Sequence, residues 1–278
     1  MRVTIHKVKE MKRSGQKIPM VTAYDYPTAK LVDEAGIPMV LVGDSLGQVV
    51  LGYDSTVRVT MEEMLHHVRA VARGVQNALV VADMPFMSYR NGKAETLKNA
   101  ARLIQEGGAQ AVKLEGGESV AEVTGHIISN GIPVMGHIGL TPQSVYQLGG
   151  YKVQGKTPEK AAQLLRDAKA LEEAGVFSMV LESIPALLAK LITERVSIPT
   201  IGIGAGVHCD GQVQVIHDIL GLCSDFTPKH TKIYAALGDL TASAVSRYME
   251  EVRSGTFPTE KESFRMNPNV LSELIQYA

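Results

Sequence analysis

A (β/α)8 barrel is the fold this sequence predicts, and three observations predict it. Eight short apolar runs are spaced along the chain, helical patterns lie between most of them, and four of the runs lead directly into a carboxylate. Short continuous apolar runs separated by amphipathic stretches read as buried parallel strands, and a barrel of such strands carries its chemistry at their C-terminal ends. The runs fall near 18–24, 39–44, 79–83, 111–115, 133–138, 177–182, 199–203 and 213–219. The same alternation also allows a doubly wound open sheet, the alternative fold.

The segment 1–15 reads as a helix that plugs the barrel floor. Helical patterns then follow over 27–35, 61–76, 93–107, 118–130, 158–174 and 185–195, with 232–253 after the last strand. Thr60 with Glu63 and Ser119 with Glu122 match the capping box, while Thr157-Pro158 and Ser183-Ile184-Pro185 place proline in a first helical turn. Gly36, Gly107, Gly131 and Gly175 each close a helical pattern and lead into a strand, as left-handed helix caps do. A tight glycine-rich turn over 204–211 takes the place of the seventh helix. Long loops over 45–60 and 139–157 follow strand ends and carry Tyr53, Tyr146 and Tyr151, so they are placed to cover a site at the barrel mouth. No proline- or serine-rich linker divides the chain, which predicts one barrel domain over 1–264 and a C-terminal tail over 265–278.

Composition narrows the function. A chain of 278 residues with 45% hydrophobic content buries a large core, and single barrels of this kind run to about 250 residues. The formal net charge of -1, without a long basic run, offers no electrostatic footprint for nucleic acid or for an anionic membrane. Small molecules are the expected partners. The two cysteines, Cys209 and Cys223, form no C-x-x-C pair and suggest neither a disulfide framework nor a zinc site. The first ten residues lack an apolar signal core, and no run approaches the ~20 apolar residues of a membrane span. A cytoplasmic protein is expected, with a mitochondrial presequence the weaker reading.

The carboxylates are Asp44, Asp83, Glu115 and Glu182, each at the end of an apolar run. Any one of them reads most plainly as a helix cap or a solvated rim residue. Gathered in one pocket they would repel and raise one another's pKa, so the set calls for a cation. Asp44, Asp83 and Glu115 are hard oxygen donors, and a site with few protein ligands that leaves room for water and substrate oxygens suits Mg2+, with Mn2+ able to substitute. Lys113 lies two residues before Glu115 and therefore points to the same side of its strand, either to pair with the acids or to bind an anionic substrate. His137 ends the fifth run, completing a ring of Asp, Asp, Glu, His and Glu over strands two to six. Gly202-Ile203-Gly204-Ala205-Gly206 lacks the following helix of a nucleotide fingerprint, so its glycines give room to a ligand or let the chain turn. His217-Asp218 reads as a structural pair and His66-His67 as surface groups on a helix.

The residues in combination resemble the 3-methyl-2-oxobutanoate (ketopantoate) hydroxymethyltransferase family. The resemblance extends from about Thr4 to Phe264. It is carried by Thr22-Ala23-Tyr24-Asp25, Val42-Gly43-Asp44-Ser45-Leu46-Gly47, Ala82-Asp83-Met84-Pro85-Phe86, Val112-Lys113-Leu114-Glu115-Gly116-Gly117, Gly136-His137-Ile138-Gly139-Leu140-Thr141-Pro142-Gln143, the 148–155 stretch, Leu181-Glu182-Ser183, and the 202–206 and 209–212 glycine motifs. No chemistry-bearing motif position departs from the family pattern. The resemblance implies a barrel of the phosphoenolpyruvate mutase/isocitrate lyase type, assembled as a homo-oligomer and expected as a decamer. It implies Mg2+, one per subunit, on Asp44, Asp83 and Glu115, with the keto acid bound by Asp44, Ser45, Asp83 and Lys113 and contacted by Tyr24 and His137. Glu182 is then the base that removes the C3 proton, and 5,10-methylenetetrahydrofolate is the one-carbon donor to the resulting enolate. Two other readings are kept: a Mg2+-dependent carbon–carbon lyase or mutase of the same barrel superfamily, and a non-catalytic scaffold barrel. Against the lyase stands the lack of an evident loop cysteine nucleophile; against the scaffold, the intact set of charges that are costly to bury.

Overall fold

Strands β1 (Ile18–Thr22), β2 (Met39–Val42), β3 (Leu79–Asp83), β4 (Ala111–Glu115), β5 (Val134–Gly139), β6 (Ser178–Glu182), β7 (Thr200–Ile203) and β8 (Gly211–Gln214) pair in parallel in chain order, and β8 returns to β1 to close the barrel. The computed structural model describes residues 2–222, 228–275 and 277. Its helices are α1 (Ile5–Arg13), α2 (Tyr26–Glu34), α3 (Leu46–Val49), α4 (Met61–Gly74), α5 (Lys93–Gln105), α6 (Glu118–Ser129), α7 (Val145–Leu148), α8 (Pro158–Ala174), α9 (Ala186–Arg195), α10 (Ile216–Ile219), α11 (Leu237–Ser254) and α12 (Pro268–Ile275). The doubly wound sheet is thereby excluded.

The two-residue period of each strand sorts its side chains into two cores. Val80, Ala82, Val112, Leu114, Met179 and Leu181 face outward into a large cluster with the helices. Leu79, Val81, Ala111, Met135, Val180 and Ile201 face inward, and Val8 and Met11 of α1 join them from below. The expected floor helix is therefore present. Lys12 ties it in place, its Nζ lying 3.0 Å from Asp210 Oδ2 and donating to the carbonyls of Thr193, Val196 and Ile198. Continuing the inward period upward gives Asp83 on β3, Lys113 and Glu115 on β4, His137 on β5 and Glu182 on β6. The register sets Asp83 beside Lys113 and Glu115 beside His137.

Thr60 and Glu63 form the expected reciprocal cap of α4, and Thr157 caps α8 with Pro158 in its first turn. Gly36, Gly131 and Gly175 take positive φ, as expected of left-handed caps. Other local readings are corrected. Ser119 and Glu122 lie inside α6, whose N-cap is Gly117, because the chain enters the helix two residues earlier. Gly108, not Gly107, takes the positive φ after α5. Pro185 is the N-cap of α9 rather than part of its first turn. The eighth strand ends at Gln214, and His217-Asp218 sit on α10, because the apolar run from Val213 to Ile219 is divided between two elements. α11 forms over much of the expected last helix but has no buried residue. α12 and the tail before it, from Phe264 onward, are likewise exposed where they are described.

A buried carboxylate anchors the entry to β3. Asp33, at the end of α2, accepts from the backbone N–H groups of Gln76, Asn77 and Ala78 at 2.8–3.1 Å and from the Asn77 side chain. Burial alone would raise its pKa, but those N–H groups prevail and hold the carboxyl below its usual range. A depressed native pKa contributes stability above the unfolded carboxylate value of 3.8, and that contribution is lost as pH falls through the native value. Asp33→Ala is therefore expected to cost about 2 kcal/mol or more at neutral pH. Urea unfolding at neutral and acidic pH checks this; a deficit that does not shrink in acid removes the anchoring role.

Candidate active site

All the expected acidic side chains meet at the C-terminal mouth of the barrel. Asp44, Asp83, Lys113, Glu115 and His137 are all at least 96% buried, whereas the Glu182 side chain stays 17% exposed at the rim. Lys113 Nζ lies 3.1 Å from Asp83 Oδ1 and 3.2 Å from His137 Nδ1. His137 in turn reaches Glu115 Oε1 at 3.5 Å through Nδ1 and Glu182 Oε2 at 3.2 Å through Nε2. Asp83 Oδ1 and His137 Nε2 are within ion-pair reach of these partners, but neither is aligned for a hydrogen bond. Tyr24 is buried behind Ser45, with its hydroxyl 2.8 Å from Ser45 Oγ.

One oxygen of each metal-candidate carboxylate is pinned by an N–H donor. The backbone of Asp44 donates to Asp83 Oδ2 at 3.0 Å, the Gln143 side chain to Asp44 Oδ2 at 2.7 Å, and the Gln143 backbone to Glu115 Oε2 at 3.0 Å. The second oxygen of each stands outside those bonds. Among the described residues, no three histidine, cysteine or acidic side chains converge into a ready-made metal cage. The donor chemistry nevertheless fits a hard cation that keeps water and substrate oxygens as further ligands.

The electrostatics show too little positive charge. Burial, then Asp83 and Glu115, hold Asp44 well above the usual carboxylate range, and burial also raises Asp83 against the opposing pull of Lys113. Glu115 is held low: burial opposes its charge, but His137 and Lys113 prevail. Burial likewise opposes the Lys113 charge, yet Asp83, Glu115 and Asp44 together lift its pKa above the ordinary value. Burial and Lys113 lower His137, but the close carboxylates of Glu115 and Glu182 outweigh them and raise it to about 9. Three carboxylates thus stabilise one lysine, while one lysine cannot serve all three. A divalent cation is the natural complement.

Backbone geometry shapes the rim. Gly139 has φ +99°, and a Cβ there would lie 2.2 Å from the Glu182 carbonyl oxygen, so only glycine lets β5 end beside β6. Ser183, next to Glu182, has the positive φ of 48° that side-chain-bearing residues seldom adopt. Gly204 and Gly206 also take positive φ, which favours the chain-turning reading of that motif. The two long loops meet where Gln48 Nε2 donates to the Tyr151 hydroxyl at 3.4 Å. A cavity of about 530 Å3 opens between the loops after β3, β4 and β5, lined among others by Phe86, Arg90, Tyr146 and Gln143.

Residues outside the expected set also contribute. Gln143 and Tyr89 lie at the carboxylates with no role assigned from the sequence; the available signals were a Thr141-Pro142 turn start before Gln143 and the place of Tyr89 in the loop after β3. His67, read as a surface group, is partly buried and bonds through Nδ1 to the Tyr24 carbonyl at 2.6 Å. His217 packs its ring 5.4 Å from that of Tyr24. Cys209 is buried, which pushes its thiol pKa up and away from nucleophilic use, and Cys223 lies outside the described residues.

Comparison with known proteins identifies the family. The family model described as ketopantoate hydroxymethyltransferase matches residues 2–260. A 3-methyl-2-oxobutanoate hydroxymethyltransferase of Dehalococcoides mccartyi is 64% identical over 274 residues, covering 99% of this chain and 97% of the relative. One from Carboxydothermus hydrogenoformans is 60% identical over 273 residues, covering 98% and 99%. Among solved structures, phosphonopyruvate hydrolase in complex with oxalate and Mg2+ superposes with a TM-score of 0.61 at 12% identity, over 100% of this chain and 96% of that one. 2,3-Dimethylmalate lyase, a member of the PEP mutase/isocitrate lyase superfamily, gives 0.59 at 16% identity, over 100% and 96%. Those two share the barrel fold. With near full-length identity to hydroxymethyltransferases on top of that fold, the chain belongs to the ketopantoate hydroxymethyltransferase family.

Proposed function

We propose that the protein transfers a hydroxymethyl group from 5,10-methylenetetrahydrofolate to 3-methyl-2-oxobutanoate, giving 2-dehydropantoate and tetrahydrofolate, the first step of pantothenate biosynthesis. The observation that carries this reading is the buried set of Asp44, Asp83 and Glu115 around the single Lys113, with Glu182 at the open rim. The reaction needs an anion-binding cation, an acid-lined metal position and a base that substrate can reach. Asp44, Asp83 and Glu115 would hold Mg2+, which when bound supplies Lewis-acid polarisation of the keto oxygen.

The chain's own residues do the rest. Lys113 and the Asp44-Ser45 segment bind and orient the keto acid, with Tyr24 and His137 behind them. Glu182 accepts the proton from C3, and Lys113 offsets the negative charge that then develops on the substrate. The new bond joins C3 to the methylene carbon of the donor. One water supplies the hydroxyl oxygen, tetrahydrofolate leaves with a hydrogen on each nitrogen that held the methylene, and the proton taken by Glu182 is returned to the product hydroxyl. Positioning of two substrates in one pocket is the enzyme's further contribution.

We also read the chain as a homo-oligomer, which the family resemblance implies to be a decamer; the exposed Leu240, Val245, Tyr248, Met249 and Val252 of α11 support an apolar contact face. A cytoplasmic location is part of the same proposal; among the described residues no helix is long and apolar enough to cross a membrane.

Proton NMR of 3-methyl-2-oxobutanoate with the protein and methylenetetrahydrofolate tests the reaction. Appearance of 2-dehydropantoate only with Mg2+ is expected; keto-acid cleavage without donor would point to a lyase instead. Glu182→Gln is expected to lose about 10²–10⁴-fold in turnover while still binding keto acid, and unchanged turnover would sink the base assignment. Asp83→Asn is expected to shift the Mg2+ activation curve to higher concentration; a wild-type curve rules Asp83 out as a ligand.

A further inference from the structure

We propose that Gln143 is a positioning residue that sets Asp44 and Glu115 in place for a divalent cation, with Tyr89 supporting the Gln143 amide through its carbonyl oxygen. The inference rests on the metal reading of those carboxylates given above.

Gln143 is buried at the carboxylates, although it comes from the loop after β5 rather than from a strand. Both N–H groups of its amide and one acceptor site of its carbonyl oxygen are used. Nε2 donates to Asp44 Oδ2 at 2.7 Å and to the Met84 carbonyl at 2.9 Å, and Oε1 lies 2.7 Å from the Tyr89 hydroxyl, which donates to it. The Gln143 backbone N–H reaches Glu115 Oε2 at 3.0 Å. One residue thus holds an oxygen of two of the three expected ligands, which arrive from different strands, β2 and β4. The Glu115 carbonyl oxygen, 3.1 Å from the same Tyr89 hydroxyl, is the longer of the two acceptors open to its single proton.

The arrangement has a direction. A side-chain amide can flip by half a turn, which would turn Oε1 toward the Asp44 carboxylate and Nε2 away from it. The Asp44 carboxylate and the Met84 carbonyl are both acceptors and keep the N–H face toward themselves, and the Tyr89 hydroxyl, donating to Oε1, supports that orientation. A carboxylate held in this way presents its free oxygen at a set angle. Groups that orient metal ligands from behind typically account for a 10–100-fold change in metal affinity when removed.

Mn2+ titration of the metal-free full-length protein, followed by electron paramagnetic resonance, tests the proposal. Gln143→Leu keeps the side-chain volume and the backbone bond to Glu115 but removes the amide; it is expected to weaken Mn2+ binding about 10–100-fold. Turnover of that variant is expected to recover at saturating Mn2+, a split that a collapsed site would not show. Tyr89→Phe is expected to weaken binding less, and the double variant no more than Gln143→Leu alone, because Tyr89 acts through the amide. Tyr89→Phe carries the test by itself if Gln143→Leu does not fold, and wild-type affinity in it then overturns the proposal. Wild-type Mn2+ affinity in Gln143→Leu, or additive effects of the two substitutions, also overturns it. Absence of Mn2+ binding to the unsubstituted protein would instead overturn the metal reading itself, and this inference with it.

Discussion

The rest of the site depends on one lysine buried among three carboxylates. Lys113 sits at the top of an otherwise apolar barrel interior, and burying its charge is tolerable only because Asp83, Glu115 and Asp44 surround it. The reverse does not hold. Three acids sharing one ammonium group and the His137 ring leave Asp44 and Asp83 raised toward their neutral forms, so a further cation is needed to hold all three ionised. Such an arrangement is poor for stability and good for binding a cation, and a metal with an anionic keto acid would complete it.

Strand register places this charge cluster. Because β3, β4 and β5 align Asp83 with Lys113 and Glu115 with His137, neighbouring strands deliver opposite charges at the same height in the barrel. Below that height the inward residues are Leu79, Val81, Ala111 and Met135, which pack the interior closed over α1. A one-residue slip on any of these strands would send its polar residues out to the helices and bring apolar ones to the mouth. The dry lower core and the charged upper layer are therefore one design, held by the same hydrogen-bond ladders. Lys12 and Asp210 at the floor, and Asp33 at the entry to β3, secure the ladder ends.

The loops above the strands are built differently. Glu182 keeps access to the mouth beside a strained Ser183, and Gly139 makes room for the β6 backbone where a side chain would collide. The loop after β5 reaches inward through Gln143, while its Tyr151 meets Gln48 from the loop after β2. These contacts cross strands that are not neighbours in the barrel. They tie the two long loops to the carboxylates they overlie.

The sequence by itself determined the alternation of strands and helices, the strand-end acids and the shared face of Lys113 and Glu115, because all of these are local: a two-residue period and a nearby turn suffice to read them. It also carried the family motifs, which located Asp44, Asp83, Glu115 and Glu182. Tertiary structure alone decided how the acids divide their partners, that His137 bridges Glu115 and Glu182, and that Gln143 and Tyr89 stand behind Asp44. Those contacts join residues up to 99 positions apart, and no periodicity records which loop folds over which strand. The end of β8 was misplaced for the same kind of reason. The apolar run through Val213 and Ile216 is continuous in sequence, and only closure of the barrel onto β1 stops the strand at Gln214 and frees the next residues to turn into α10.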